Sequence, residues 1–309
     1  MTTHRIRIAT RSSRLALWQA EHVASLIRSA AADVAVDIVH IRTEGDANQT
    51  DPLRQFGGTG VFTREVQVAV LNRQCEIAVH SLKDLPTESA DGLMLAAVPG
   101  RAPRCDALIL PSDVSPISRL SELKAKARIG TGSPRRQAQL LHWRSDLWTE
   151  EIRGNVETRI RKLDDGEFDA IVLAEAGLRR LGLADRISLL LEPPVMFPAV
   201  GQGAIGIECR TDDTVTQTIL NNISNVSVTR CVTAERTLLA DLRAGCHAPL
   251  GAWTELDGDE LTLTAVLLSA NGEHRLEATE TGSAAEPESI GSAVARALLT
   301  AGGEELVRT

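Results

Sequence analysis

Two periods of hydrophobic spacing alternate along the first two-thirds of the chain. "RIRIAT", from Arg5, alternates polar and apolar positions and predicts a strand. After Ser13, the residues Leu15, Leu17, Trp18, Val23 and Ile27 fall roughly on one side of a helix. "DIVHIRT" predicts a second strand. The glycine-rich turn "FGGTG" then leads into the helical "VFTREVQVAVLNRQ", and "EIAVHS" predicts a third strand. Beyond "VPGRAPR" the pattern restarts with strands in "DALIL" and "ARIGTG", helices from Pro134 and Val156, a strand in "FDAIVLA" and a helix in "EAGLRRLG". Such alternation predicts α/β architecture with mostly parallel sheets and helices on both faces. The Pro/Gly-rich "PPVMFPAVGQGAIG" marks a second crossing between the halves. From about Asn222 the order changes to one long helix, "SVTRCVTAERTLLADL", three hairpin-linked strands and a closing helix, which predicts a smaller α+β domain.

Composition narrows the function classes. The 309 residues are 43% apolar and 24% charged, with a net charge of −8, so nucleic acid and anionic membrane are not the expected partners. No apolar run approaches the ~20 residues of a membrane span, and the opening "MTTHRIRIAT" has no signal-peptide pattern, so a cytoplasmic protein is expected. No heptad or long apolar face is present, which favours a monomer. Five widely spaced cysteines without a CxxC predict neither a disulfide framework nor a structural metal site. Cys75, Cys105, Cys209 and Cys231 read as packing residues. Cys246 stands apart, in the small-residue turn "LRAGCHAPLG".

The basic residues carry more information by position than by number. Arg11 precedes a Ser12/Ser13 cap, Arg135 and Arg136 follow Ser133 and Pro134, and Arg153 precedes an Asn155 cap with Arg159 one turn on. A cation at a helix N-terminus costs about 0.3–1 kcal/mol unless an anion compensates. Three such starts, each after a strand of an α/β sheet, point to a cleft that holds a ligand with several negative groups. Arginine forks further suit carboxylate or phosphate. In "AVHSLKDLP", Ser81, Lys83 and Asp84 follow a buried strand, and beside such a cleft Asp84 is a candidate acid/base or cation stabiliser. Strand alternation turns His80 toward the core.

These segments, with "RIATRSSRLALWQA", "GGTGVFTRE", "IAVHSLKDLP", "GTGSPRRQ", "RGNVETRIRKL", "AEAGLRRLG", "PAVGQGAIGIE" and "ERTLLADLRAGCHAPLG", closely resemble the porphobilinogen deaminase (hydroxymethylbilane synthase) family along nearly the whole chain. The resemblance implies a transferase that adds four porphobilinogen units to a covalent dipyrromethane primer, releasing ammonia at each addition and then hydroxymethylbilane. It implies that Cys246 holds the primer through a thioether and that Asp84 is the catalytic carboxylate. It places Ser13, Ser81, Lys83, Thr131, Ser133, Arg135 and Arg136 on the cofactor, and Arg11, Arg153, Arg159, Arg180 and Gln202 on the substrate, with no metal. The implied fold is two periplasmic-binding-protein-like α/β domains flanking a cleft plus a smaller C-terminal α+β domain. The implied boundaries are residues 1–99 with 199–221, residues 100–198, and residues 222–309.

The chain departs from the family's pattern at Gln55 and Thr59, where lysines are common, and at Ala244 and Ala248 around the cysteine. Two rival readings use the same residues. An anion-binding protein without catalysis gives no reason for Cys246 or the third domain. A cysteine hydrolase built on Cys246 and His247 needs neighbours that extended backbone points apart.

Overall fold

The computed structural model describes residues 4–42, 63–243 and 248–307. Two compact units emerge, one from residues 1–102 with 204–229 and the other from residues 103–203 with 230–309.

The first stretch forms β1 (His4–Thr10), α1 (Arg14–Ala30), β2 (Val34–His40), α2 (Arg64–Leu71), β3 (Ile77–Ser81) and β4 (Leu93–Ala97). The second forms β5 (Asp106–Ile109), β6 (Arg128–Gly130), α3 (Pro134–Trp143), β7 (Trp148–Glu150), α4 (Val156–Asp164), β8 (Ala170–Ala174), α5 (Glu175–Arg180) and β9 (Leu189–Leu191). The chain then adds β10 (Ile205–Arg210), α6 (Thr214–Asn221), α7 (Val226–Asp241), the strands β11 (Leu250–Asp257), β12 (Glu260–Leu268) and β13 (Arg275–Ser283), and α8 (Pro287–Leu298).

Two five-stranded sheets, ordered β2-β1-β3-β10-β4 and β7-β6-β8-β5-β9, repeat one plan. In each, four strands run in one direction and the fifth, β10 or β5, runs antiparallel to both its neighbours. That antiparallel strand is the one laid down just after the chain passes from one unit to the other. The C-terminal ends of the parallel strands and the start of the antiparallel strand therefore share one sheet edge. Ligand sites of open α/β sheets form at this edge.

The β-branched and leucine-rich strands are buried on both faces, as parallel sheets covered by helices require. In the first sheet Ile6, Ile8, Ile77, Val79, Ile205 and Ile207 pack on Ala20, Val23, Ala24 and Ile27 of α1. The buried face of α1 comprises Gln19, Ala20, Val23, Ala24 and Ile27. It is turned from the expected stripe: Trp18 is exposed and stacks on His22. β2 starts at Val34, earlier than "DIVHIRT" suggests, because Val34 and Val36 are the residues that reach the core.

β4, β7, β9, β10 and α6 were not expected. Three of them are short or exposed edge elements with a weak local signal, while β10 lies inside the glycine-rich crossing. Cys75, Cys105 and Cys209 are buried packing residues. Burial pushes the thiols of Cys105 and Cys209 up to about 11, which leaves both unreactive at neutral pH.

The last three strands form an antiparallel meander. Its apolar face, with Leu261, Leu263, Ala265 and Leu267, packs on Ala234 and Leu238 of α7 and on Ile290, Val294 and Leu298 of α8. Within its unit this module leans on the segment before β10. Gly251 of β11 lies so close to Phe197 that a Cβ there would meet the Phe197 Cβ at 2.5 Å, and Ala252 N donates to Pro198 O at 2.9 Å. Among the described residues no helix is long and apolar enough to cross a membrane.

Candidate functional site

The sequence-predicted residues collect at the described strand-end edges of the two sheets. In the first unit, β1 ends at Thr10 and passes through Arg11 into α1, whose N-cap Ser13 accepts from Ala16 N at 3.3 Å. β3 ends at Ser81, and Leu82–Asp84 form a single 3₁₀ turn. Gln19, a buried residue of α1, donates to Ser81 Oγ at 2.9 Å and so fixes the end of β3 against the start of α1. Lys83 is half-buried and Asp84 is exposed at this turn. Beneath it His80 is buried, with Nε2 3.0 Å from the Glu208 carboxyl group of β10, as strand alternation requires.

In the second unit, β6 runs into Thr131, whose backbone N–H bonds to Glu150 O of β7 at 2.9 Å. Ser133 caps α3 with Pro134 in the first turn, and Asn155 caps α4 by accepting from Thr158 N at 2.9 Å. Arg153 lies just before that cap. Among the described residues its buried Nη1 has no hydrogen-bond partner, and the Glu151 carboxyl oxygen is 3.9 Å away. Arg159 Nε donates to Gly154 O at 2.8 Å, which holds that guanidinium beside the α4 start.

Arg135 and Arg136 face inward, with side chains 5% and 7% exposed. Both close on Asp106, the first residue of β5, which is fully buried. Arg135 Nη1 is 2.7 Å from Oδ2, while Arg136 Nε and Nη2 reach Oδ1 at 2.9 and 2.7 Å. Arg135 Nη1 also donates to Phe197 O at 2.6 Å, and Arg136 Nη1 to Val172 O at 2.9 Å. Burial lowers the Arg135 pKa against the opposing pull of Asp106. These two side chains are thus part of the core of their unit as well as of the strand-end edge. Arg135 Nε is buried and makes no hydrogen bond among the described residues.

Gln202 is buried and joins the same cluster, its Nε2 donating to Arg104 O at 2.8 Å and Asp106 Oδ1 at 3.1 Å. Arg180 Nη2 donates to Gly203 O at 2.7 Å, and burial brings its guanidinium down to about 10, which keeps it charged at neutral pH.

The sequence reading missed Asp106 and Gln19. A carboxylate opening the wholly apolar strand "DALIL" was the available signal for Asp106, because a buried acid requires a cation partner. Cys246, Ala244, Gln55 and Thr59 lie outside the described residues.

Chemically, the second edge offers guanidinium N–H groups, Arg153 Nη1 and Arg135 Nε, that make no hydrogen bond among the described residues. Buried donors of this kind are costly without an acceptor, and carboxylates of a bound ligand supply one. The first edge offers a carboxyl group and an ammonium group in a turn next to a strand end.

The family model "Porphobilinogen deaminase, dipyromethane cofactor binding domain" matches residues 6–218, and "Porphobilinogen deaminase, C-terminal domain" matches residues 229–300. The porphobilinogen deaminase of Maridesulfovibrio salexigens is 43% identical over 303 residues, covering 98% of this chain and 97% of that protein. That of Trichlorobacter lovleyi is 43% identical over 307 residues, covering 99% and 97%. Among solved structures, the periplasmic VFT2 domain of Bordetella pertussis BvgS is 13% identical with a TM-score of 0.44, over 71% of this chain and 86% of that one. Matched nearly end to end by both domain models and by full-length relatives, the chain belongs to the porphobilinogen deaminase family, the dipyrromethane-carrying transferases that polymerise porphobilinogen in tetrapyrrole biosynthesis.

Proposed function

We propose that the two strand-end edges divide the work of this reaction, the first supplying the reacting carboxyl group and the second the anion-holding cations. The observation that carries this reading is the buried Nη1 of Arg153 at the second edge, together with Arg135 Nε, both without a hydrogen bond among the described residues and suited to an acidic ligand. The dipyrromethane group bears acetate and propionate side chains, so the donor set fits it. Ser13, Ser81, Lys83, Thr131, Ser133, Arg135 and Arg136 would hold the cofactor, with Cys246 as its thioether anchor. Arg11, Arg153, Arg159, Arg180 and Gln202 serve the incoming substrate, Gln202 by supporting Asp106 and the arginine pair.

When bound, the cofactor supplies the free pyrrole position to which porphobilinogen is joined. The protein's own part is electrostatic and protonic. Asp84 accepts N–H groups of the reacting pyrrole, stabilises positive charge that develops as ammonia departs, and moves protons at its carboxyl oxygens. Its exposure in the 3₁₀ turn leaves those oxygens accessible to substrate. Lys83, one residue earlier, balances carboxylates that approach the same turn. Arg153 and Arg159, placed before and within the first turns of α4, orient the propionate and acetate groups.

The three-sheet architecture supports domains at residues 1–99 with 199–221, 100–198 and 222–309. The working form in this reading is a cytoplasmic monomer.

Intact-mass measurement tests the anchor. The purified protein is expected to carry the added mass of two linked pyrroles, and Cys246→Ser to lack both that mass and activity. An unmodified protein with full turnover would refute the assignment.

A further inference from the structure

One buried carboxyl group has no part in the reaction described so far. Glu235 lies in the middle of α7, the helix that leads toward Cys246, and is completely buried. Its Oε1 accepts from Thr254 Oγ1 of β11 at 2.7 Å, and its Oε2 accepts from the backbone N–H of Gly201 at 2.8 Å. Gly201 has φ +69°, a left-handed conformation suited to glycine, and the next residue is Gln202.

From Gln202 a continuous run of bonds reaches the arginine pair. Gln202 Nε2 contacts Asp106 Oδ1 at 3.1 Å, and Asp106 holds Arg136 through Oδ1 and Arg135 through Oδ2. The same segment is fixed from its other end. Phe197 O accepts from Arg135 Nη1 at 2.6 Å and from Gln139 Nε2 at 3.0 Å, and Phe197 N donates to Gln139 Oε1 at 2.7 Å. Residues 197–202 thus form a bridge with one side on α3 and Asp106 and the other on α7 and β11.

We propose that Glu235 is a positioning residue, setting the arginine pair of α3 in register with the cysteine-bearing module. A tethered acidic ligand gives the requirement its physical basis. A short ligand anchored at one atom presents its carboxylates at fixed distances, so guanidinium groups that shift relative to the anchor lose charged hydrogen bonds. A carboxyl group that merely filled the interior of α7 and β11 would need only Thr254; the bond to Gly201 is the one that reaches toward Gln202. The proposal rests on the assignments of Arg135, Arg136 and Cys246 made above.

The test is steady-state kinetics on cofactor-loaded protein, with loading checked by intact mass. Glu235→Met fills the space but removes both acceptors. It is expected to load cofactor and to raise KM for porphobilinogen about tenfold, with kcat changed far less. Thr254→Val removes the bond to Oε1 and the Arg104 Nη1 bond to the same hydroxyl, keeps the Gly201 bond to Oε2, and is expected to leave KM unchanged while lowering Tm. In a double-mutant cycle Glu235→Met and Gln202→Ala should be non-additive in KM, because they act along one path.

Unchanged KM in Glu235→Met, an equal KM rise in Thr254→Val, or additivity with Gln202→Ala would each overturn the proposal. Should Glu235→Met fail to fold, Glu235→Asp, whose carboxyl group is about 1.5 Å short of both partners, is measured against the same KM criterion. Arg136→Leu run in parallel separates the two levels. If it leaves KM unchanged, the site assignment fails; if it raises KM while Glu235→Met does not, only the coupling fails.

Discussion

At the end of β3 in the first sheet, the Asp84 carboxyl group is exposed in a short turn. At the corresponding edge of the second sheet, the Asp106 carboxyl group is fully buried between two arginines and opposite Ala174, the last residue of β8. The sheets share an order of strands, yet one edge presents its acid and the other encloses it. In the proposed reading, a carboxyl group that must exchange protons with a succession of substrates needs access, which the exposed turn gives it. A carboxyl group that must hold two cations in place needs the reverse, a dry site in which charged hydrogen bonds are strong. In the proposed division of work, the same backbone plan carries a reacting edge and an anion-holding edge, and the difference lies in a few side chains at the strand ends.

The comparison can be broken most decisively at Asp84. Asp84→Asn is expected to lower turnover about a hundred- to ten-thousandfold with little change in Tm, because the residue is exposed. Rapid-quench assay and thermal unfolding check the two halves of that statement, and near-normal turnover would remove Asp84 from the chemistry.

At Asp106 the opposite profile is expected. Asp106→Asn leaves two buried guanidinium groups without their counter-charge, a loss of about 3–5 kcal/mol of stability, measurable by denaturant unfolding. A stable variant with wild-type midpoint would show that Arg135 and Arg136 do not depend on it.

The smallest effects should come from Arg153→Leu and Arg159→Leu. Each removes a charged hydrogen bond to ligand, contributing about 1.5–3 kcal/mol. Partly elongated species should then accumulate in mass spectra taken during turnover. Stability should hold for Arg153→Leu, whose Nη1 has, among the described residues, only a 3.9 Å approach to Glu151 and no hydrogen bond. Unchanged elongation would place the anion-holding function elsewhere on the edge.

Much of this arrangement is legible in the sequence. The caps Ser13, Ser133 and Asn155 were visible because a cap and its helix are neighbours in sequence, and all three side chains accept from the backbone N–H three positions on. His80 could be turned inward from strand alternation alone. Less was visible where partners are distant. The inward turn of Arg135 and Arg136 depends on Asp106, 29 and 30 positions earlier. That pair looks from the sequence like free ligand-binding cations at a helix start. β10 was hidden because its strand character comes from pairing with β3 and β4, not from its own glycine-rich lead-in.

The sequence by itself determined the α/β alternation, the change to α+β after about Asn222, the helix starts with their arginines, and the family, because each rests on short-range spacing or contiguous motifs. Only the tertiary structure decided which strands run antiparallel, which cations are enclosed by Asp106, and how Glu235 reaches Gly201 across 34 positions. Those outcomes depend on which distant segments become neighbours in a low-dielectric interior, where a buried charge or polar group must find a partner wherever along the chain one is available.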